Sequence, residues 1–146
     1  MTIITFHKYL SANDVGETGG HQGGILIPKG DKELLAFLPC LDPAIKNPDA
    51  WIECIDEDGV SRKFRFVYYN NALHVELGTR NEYRITHMTA YFRDSGAHSG
   101  DTFEISRESG RGTHRIRIIA QATGEPPPDT GEGIRIRIRS HWQRVH

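Results

Sequence analysis

Cysteine is scarce in this chain, and so is any surplus of charge. Only Cys40 and Cys54 occur; they form no Cys-x-x-Cys motif and are too few for a disulfide framework, so a reducing cytoplasm is the expected compartment. Eighteen Lys and Arg against nineteen Asp and Glu leave a formal net charge of −1. That excludes a generic nucleic-acid coat, whose affinity comes from surplus cations on phosphates, but allows a local basic face. Long apolar runs are missing too. Nothing approaches the roughly 18 apolar residues of a membrane helix. The opening Met-Thr-Ile-Ile-Thr-Phe-His-Lys lacks the basic head and long apolar centre of a secretory signal, so neither export nor a membrane anchor is expected.

Catalytic signatures are equally thin. There is no Gly-x-Ser-x-Gly elbow and no phosphate-loop motif. The eight histidines are scattered and the cysteines lack partners at zinc-ligand spacing. The nearest approach to a Pro-Asp…(Asp/Glu)-x-Lys nuclease site is Pro48-Asp49 with Glu53, where Ile55 stands in place of the lysine. Two carboxylates still suit a hard divalent ion, so a metal-dependent nuclease using Asp49 and Glu53 is the enzymatic alternative. A protein- or sugar-binding barrel is another. No cofactor is expected.

What the chain does have is short strands and glycine-bearing turns. Its 146 residues, 37% hydrophobic and 25% charged, suit one globular domain with a real core. Strands are expected over 3–10, 25–28, 51–56, 60–69, 72–77, 85–92, 102–106 and 115–121. One short helix is expected over 31–38, with Asp31 or Gly30 at its N-cap and Leu34, Leu35 and Leu38 on its buried side. The pattern predicts a mostly β, largely antiparallel barrel or sandwich with one or two short helices. The barrel is expected over 1–123, a proline- and glycine-rich linker over 124–133, and an additional strand and tail over 134–146. In that tail Ile134 to Arg139 alternates isoleucine with arginine, as a strand beside 115–119 would.

Two stretches carry polar chemistry. Residues 78–86 read Gly-Thr-Arg-Asn-Glu-Tyr-Arg-Ile-Thr. In extended backbone Arg80, Glu82 and Arg84 share one face, and Asn81 and Tyr83 the other. Arginine grips guanine O6 and N7, a carboxylate accepts from cytosine N4, and asparagine pairs with adenine N6 and N7, so the stretch is equipped to read a G·C-containing duplex. It also fits a solvated ladder in which Glu82 screens two arginines. The second stretch is the long polar loop after the first strand, where Ser11, Asn13, His21 and Gln22 are placed to meet phosphates or base edges.

Lys8-Tyr9-Leu10-Ser11-Ala12-Asn13-Asp14 with Thr18-Gly19-Gly20-His21-Gln22, and Tyr68-Tyr69-Asn70 with Thr79-Arg80-Asn81-Glu82 and Arg84-Ile85-Thr86, resemble the N-terminal effector-binding domain of EcoRII-type restriction endonucleases over about residues 8 to 121. The resemblance implies an open antiparallel pseudobarrel, like the plant B-three DNA-binding fold, whose two arms clasp the major groove. One arm would be Lys8 to Gln22 and the other Gly78 to Thr86. The implied DNA-binding residues are Lys8, Ser11, Asn13, Asp14, His21, Gln22, Asn70, Arg80, Asn81, Glu82, Tyr83 and Arg84, on a CC(A/T)GG-like site. Tyr83 stands where the relative has lysine. The implied partners are double-stranded DNA and a nuclease domain or subunit, with no membrane and no catalysis by this chain.

Overall fold

The computed structural model describes residues 2–16, 24–110, 112–121 and 142–145. One sheet of eight strands organises them, in the order β2-β5-β4-β3-β7-β6-β1-β8. The strands are β1 (Ile3–Tyr9), β2 (Ile25–Ile27), β3 (Asp49–Ile55), β4 (Ser61–Tyr69), β5 (Glu82–Thr86), β6 (Thr102–Glu108), β7 (His114–Ile119) and β8 (Trp142–Val145). All neighbours run antiparallel except β3 and β7, which meet in parallel at Cys54–His114 and Ile55–Arg115.

Alternation builds the interior. Phe64 and Phe66 of β4 point inward and join Phe6, Ile52, Ile85, Phe103, Ile105 and Ile116 in one buried cluster, and Tyr68 on the same face is buried beside Tyr83. The sheet curls until its two edge strands meet: the indole Nε1 of Trp142 in β8 donates to the carbonyl of Leu26 in β2 at 3.0 Å. The barrel is thereby nearly closed, which protects edges that would otherwise be open to pairing. Helix α1 (Lys32–Phe37) plugs it with buried Leu34 and Phe37, and Asp31 caps it through Oδ1, which accepts from Leu34 N at 3.0 Å.

Three expectations change. The segment 72–77 is not a strand: α2 (Asn71–His74) occupies its start, since Ala72-Leu73-His74 has no β-branched residue and the Asn70 and Asn71 carbonyls accept from Leu73 and Val75. The strand expected over 85–92 stops at Thr86. His87 turns the chain at φ 66, and Met88, Tyr91 and Phe92, at helical spacing, bury one side of α3 (Thr89–Ser95). The described helices are therefore three rather than one or two. Within the tail, Trp142–Val145 forms a strand beside β1. The 124–133 linker and the Ile134 to Arg139 strand lie outside the described residues.

Candidate nucleic-acid interface

Strand β5 carries the densest polar cluster, and register decides which way it faces. Ile85 and Tyr83 turn toward the core, which leaves Glu82, Arg84 and Thr86 outward. Both arginines converge on one carboxylate oxygen: Arg84 Nε donates to Glu82 Oε2 at 2.6 Å and Arg80 Nη2 donates to the same atom at 3.3 Å. The Arg80 guanidinium also lies over the ring of Tyr69, 3.9 Å from its centroid, on the strand position paired with Glu82. Burial pushes the Glu82 carboxyl up, but the hydrogen bonds from Arg84 and Arg80 outweigh it and hold the group below the usual carboxylate range. The triad is thus a fixed Arg–Glu–Arg row, ionised near neutrality and half exposed.

The opposite face of the stretch packs inward. Tyr83 stacks on Tyr68, centroids 4.2 Å apart and 7° from parallel, and on Phe66. The Tyr68 hydroxyl donates to Asn81 Oδ1 at 2.5 Å. The oxygen that a bidentate adenine contact needs is therefore already engaged. Tyr83, expected on the interface, serves instead as the wall behind it.

The segment after β1, expected as one arm, begins on a buried brace. Lys8, expected among the DNA contacts, is 5% exposed; its Nζ donates to Asp14 Oδ2 and to the Tyr9 carbonyl, both at 2.9 Å. Its neighbours explain this, because Lys8 on the inner side of the arm is covered as the chain folds back. Asp14, also buried, accepts from Ser11 N, while Ser11 Oγ accepts from Asp14 N. Ser11 and Asn13 are exposed on this turn. His21 and Gln22 lie outside the described residues. Asn70 is a further correction: it is fully buried, and its Nδ2 donates to the carbonyls of Pro43 and Ile45 while its Oδ1 accepts from Asn47 N. It anchors a loop and has no surface to offer DNA.

The barrel seam links β1 to β5. Lys8 lies opposite Trp142, Trp142 bonds to Leu26, and Leu26 lies opposite Arg84. The long loop is pinched at its base by Gly24 N donating to the Asp14 carbonyl at 3.0 Å, and a Cβ on Gly24 would stand 2.9 Å from the Ile85 carbonyl. The loop therefore leaves the barrel beside the end of β5, roughly 7 Å along the strand from Arg84. Sequence reading missed Tyr69 as the platform under Arg80; its place at the end of an aromatic alternation that otherwise points inward was the available signal. It also missed the outward row of Trp51, Arg65 and Thr86, paired across three strands, with His87 edge-on to Trp51 at 5.0 Å.

The candidate metal residues do not converge. Asp49 and Glu53 are four positions apart on β3, roughly 13 Å by the strand rise. Asp49 is bound to Arg65 Nε at 2.6 Å. Among the described residues no group of three metal-ligating side chains gathers, and no helix is long and apolar enough to cross a membrane.

Comparison with known proteins agrees with this geometry. The family described as restriction endonuclease EcoRII, N-terminal, matches residues 1–98. The type II restriction enzyme EcoRII of Escherichia coli is 38% identical over an alignment of 96 residues that covers 62% of this chain and 22% of that enzyme. The chain thus spans about a fifth of that relative's length. Among solved structures, the Arabidopsis FUS3-DNA complex matches with a TM-score of 0.60 at 20% identity, covering 82% of this chain and 99% of that one. This likeness shows a shared fold. With well over half of its length matched by the family, the chain belongs to the EcoRII N-terminal domains.

Proposed function

We propose that this chain recognises a short duplex DNA sequence from the major groove, as the effector- or target-recognition domain of a restriction system. The observation that carries this reading is the Arg80–Glu82–Arg84 row, with Glu82 and Arg84 on the outer face of β5 and Arg80 just before it, set beside the base of the β1–β2 loop. Arg80 and Arg84 offer guanidinium edges to guanine. Among the described residues none donates to Glu82 Oε1, which leaves that oxygen for cytosine N4. Membership of the EcoRII family and a fold shared with a protein solved on DNA support it. The site expected is CC(A/T)GG-like, with the two arms on either side of it, and cleavage is assigned to a nuclease domain or subunit acting with this one. The net charge of −1 argues that base and shape reading supply the preference rather than bulk attraction.

A titration at one fixed salt concentration tests this, using duplexes with CC(A/T)GG, a scrambled duplex of equal composition, and single strands. The parent should prefer the CC(A/T)GG duplex. Glu82→Ala should cost about 1–3 kcal/mol on that duplex and relax selection at one base pair. Equal binding to all duplexes, or an equal loss for Glu82→Ala on cognate and scrambled DNA, would refute base reading by the triad.

A further inference from the structure

The loop between β4 and β5 presents an apolar tip that the Arg–Glu–Arg row does not use. Leu73, Val75 and Leu77 are 55%, 43% and 93% exposed, and Leu77 has the left-handed φ of 67°. A leucine there is a backbone outlier, since its branched side chain disfavours that region. The loop is nevertheless firmly tied. Arg80 N donates to Asn71 Oδ1 at 2.7 Å and Ala72 N to the Arg80 carbonyl at 3.0 Å, while Val75 N reaches the Asn71 carbonyl and Gly78 N the Val75 carbonyl, each at 2.9 Å. Gly78 packs against the Asn71 carbonyl with no room for a Cβ. A closed loop therefore holds an apolar side chain almost wholly in water, three residues before Arg80. Glu76 beside it makes the tip a poor grip for phosphate, so what the tip offers is Leu77 itself.

We propose that Leu77 is a specificity-determining contact that packs on the C5-methyl of a thymine in the major groove, next to the bases read by Arg80. The inference rests on the DNA-reading proposal above. The occupant is DNA because the tip is continuous with that row: the hydrogen bonds that close the loop end on Arg80, so placing Arg80 on a base edge carries Leu77 into the same groove. Major-groove thymine is the base edge with an apolar feature, and apolar side chains recognise it by contact. A central A·T pair within a G·C-flanked site supplies one such methyl.

The test titrates the parent, Leu77→Ala and Leu77→Gly on two CC(A/T)GG duplexes, identical except that deoxyuridine replaces thymidine in one. Loss of one buried methyl should weaken the parent about fourfold. Both variants should bind the thymine duplex as weakly as the parent binds the uracil duplex, and should not distinguish the two. Leu77→Gly should melt no lower than the parent, because glycine adopts this φ freely, which separates loss of contact from loss of fold. A parent that prefers CC(A/T)GG but ignores the methyl, or variants that still discriminate, would overturn the role of Leu77. So would variants whose only change is a shift in the sedimentation of the free protein, which would mark the tip as a protein contact. A parent that binds CC(A/T)GG and scrambled duplexes alike would be a different failure, removing base reading itself and the Leu77 contact with it.

Discussion

At the scale of single residues, the outward row proposed to read bases is distinct from the buried polar groups that hold the fold. Residues 80, 82 and 84 were legible because a period of two fixes their common face wherever the strand lies. The fate of Lys8 was not, because a lysine at the end of a strand reads as exposed until Asp14 folds back over it. His114 shows the same limit. Nothing in its neighbourhood in sequence marks it as buried, yet it is 4% exposed, edge-on to Phe37 at 5.1 Å and opposite Cys54 in the parallel pair. Burial first, and then the nearby charge of Arg107, push its imidazole down to about 4 from the ordinary 6.5. The unfolded chain therefore binds more protons than the folded one between those two values, so stability is complete above 6.5 and is lost as pH falls toward 4. The loss should approach about 3 kcal/mol. Urea midpoints at pH 7 and pH 4.5 should fall for the parent and much less for His114→Leu. Parallel losses in both proteins would show that other groups govern the acid limb.

At the scale of elements, the loop between β4 and β5 stands on polar pins rather than on its own propensity. Helix α2 has four residues and no buried side chain, so nothing in its sequence stabilises it. Asn70, just before it, ties β4 to the 43–47 connection through Asn47 N and the carbonyls of Pro43 and Ile45. The resemblance placed Asn70, within the Tyr68-Tyr69-Asn70 motif, among DNA contacts. Burial assigns it to the support beneath the arm. Asn70→Ala would leave one amide and two carbonyls without this partner, and should cost about 2–4 kcal/mol. The predicted signature is a lowered thermal midpoint, with folded protein that still prefers its duplex over a scrambled one. Lost preference at an unchanged midpoint would return Asn70 to the interface. Elements defined by strong alternation, such as β4 with its inward aromatics, were readable. Segments 72–77 and 85–92 were not, because short apolar runs fit a strand or a helical turn equally well and tertiary packing chose the helix.

At the scale of the whole molecule, the strand order was the least legible feature: β3–β4 and β6–β7 join neighbours in sequence, but β1 with β6 and β8, β2 with β5, and β3 with β7 join residues distant in the chain. The tail shows this: Trp142–Val145 pairs with β1 at the other end of the chain, and Trp142 brings a large ring to bury. That ring meets Phe103 with centroids 6.2 Å apart, and its indole closes the sheet on Leu26. Leu26 lies opposite Arg84 and Trp142 opposite Lys8, so one hydrogen bond joins the two edges of the sheet beside the row proposed to read bases. Trp142→Phe keeps most of the packing and removes that bond, and should lower stability by about 1–2 kcal/mol. Amide exchange should quicken in β2 and β8 ahead of the central β3–β4 pair. Affinity for the preferred duplex should drop further than the stability loss alone explains, because the arms would no longer hold a fixed separation. Uniform exchange throughout the sheet, with affinity untouched, would mean that the arms are positioned independently and that the seam serves only to cover two strand edges.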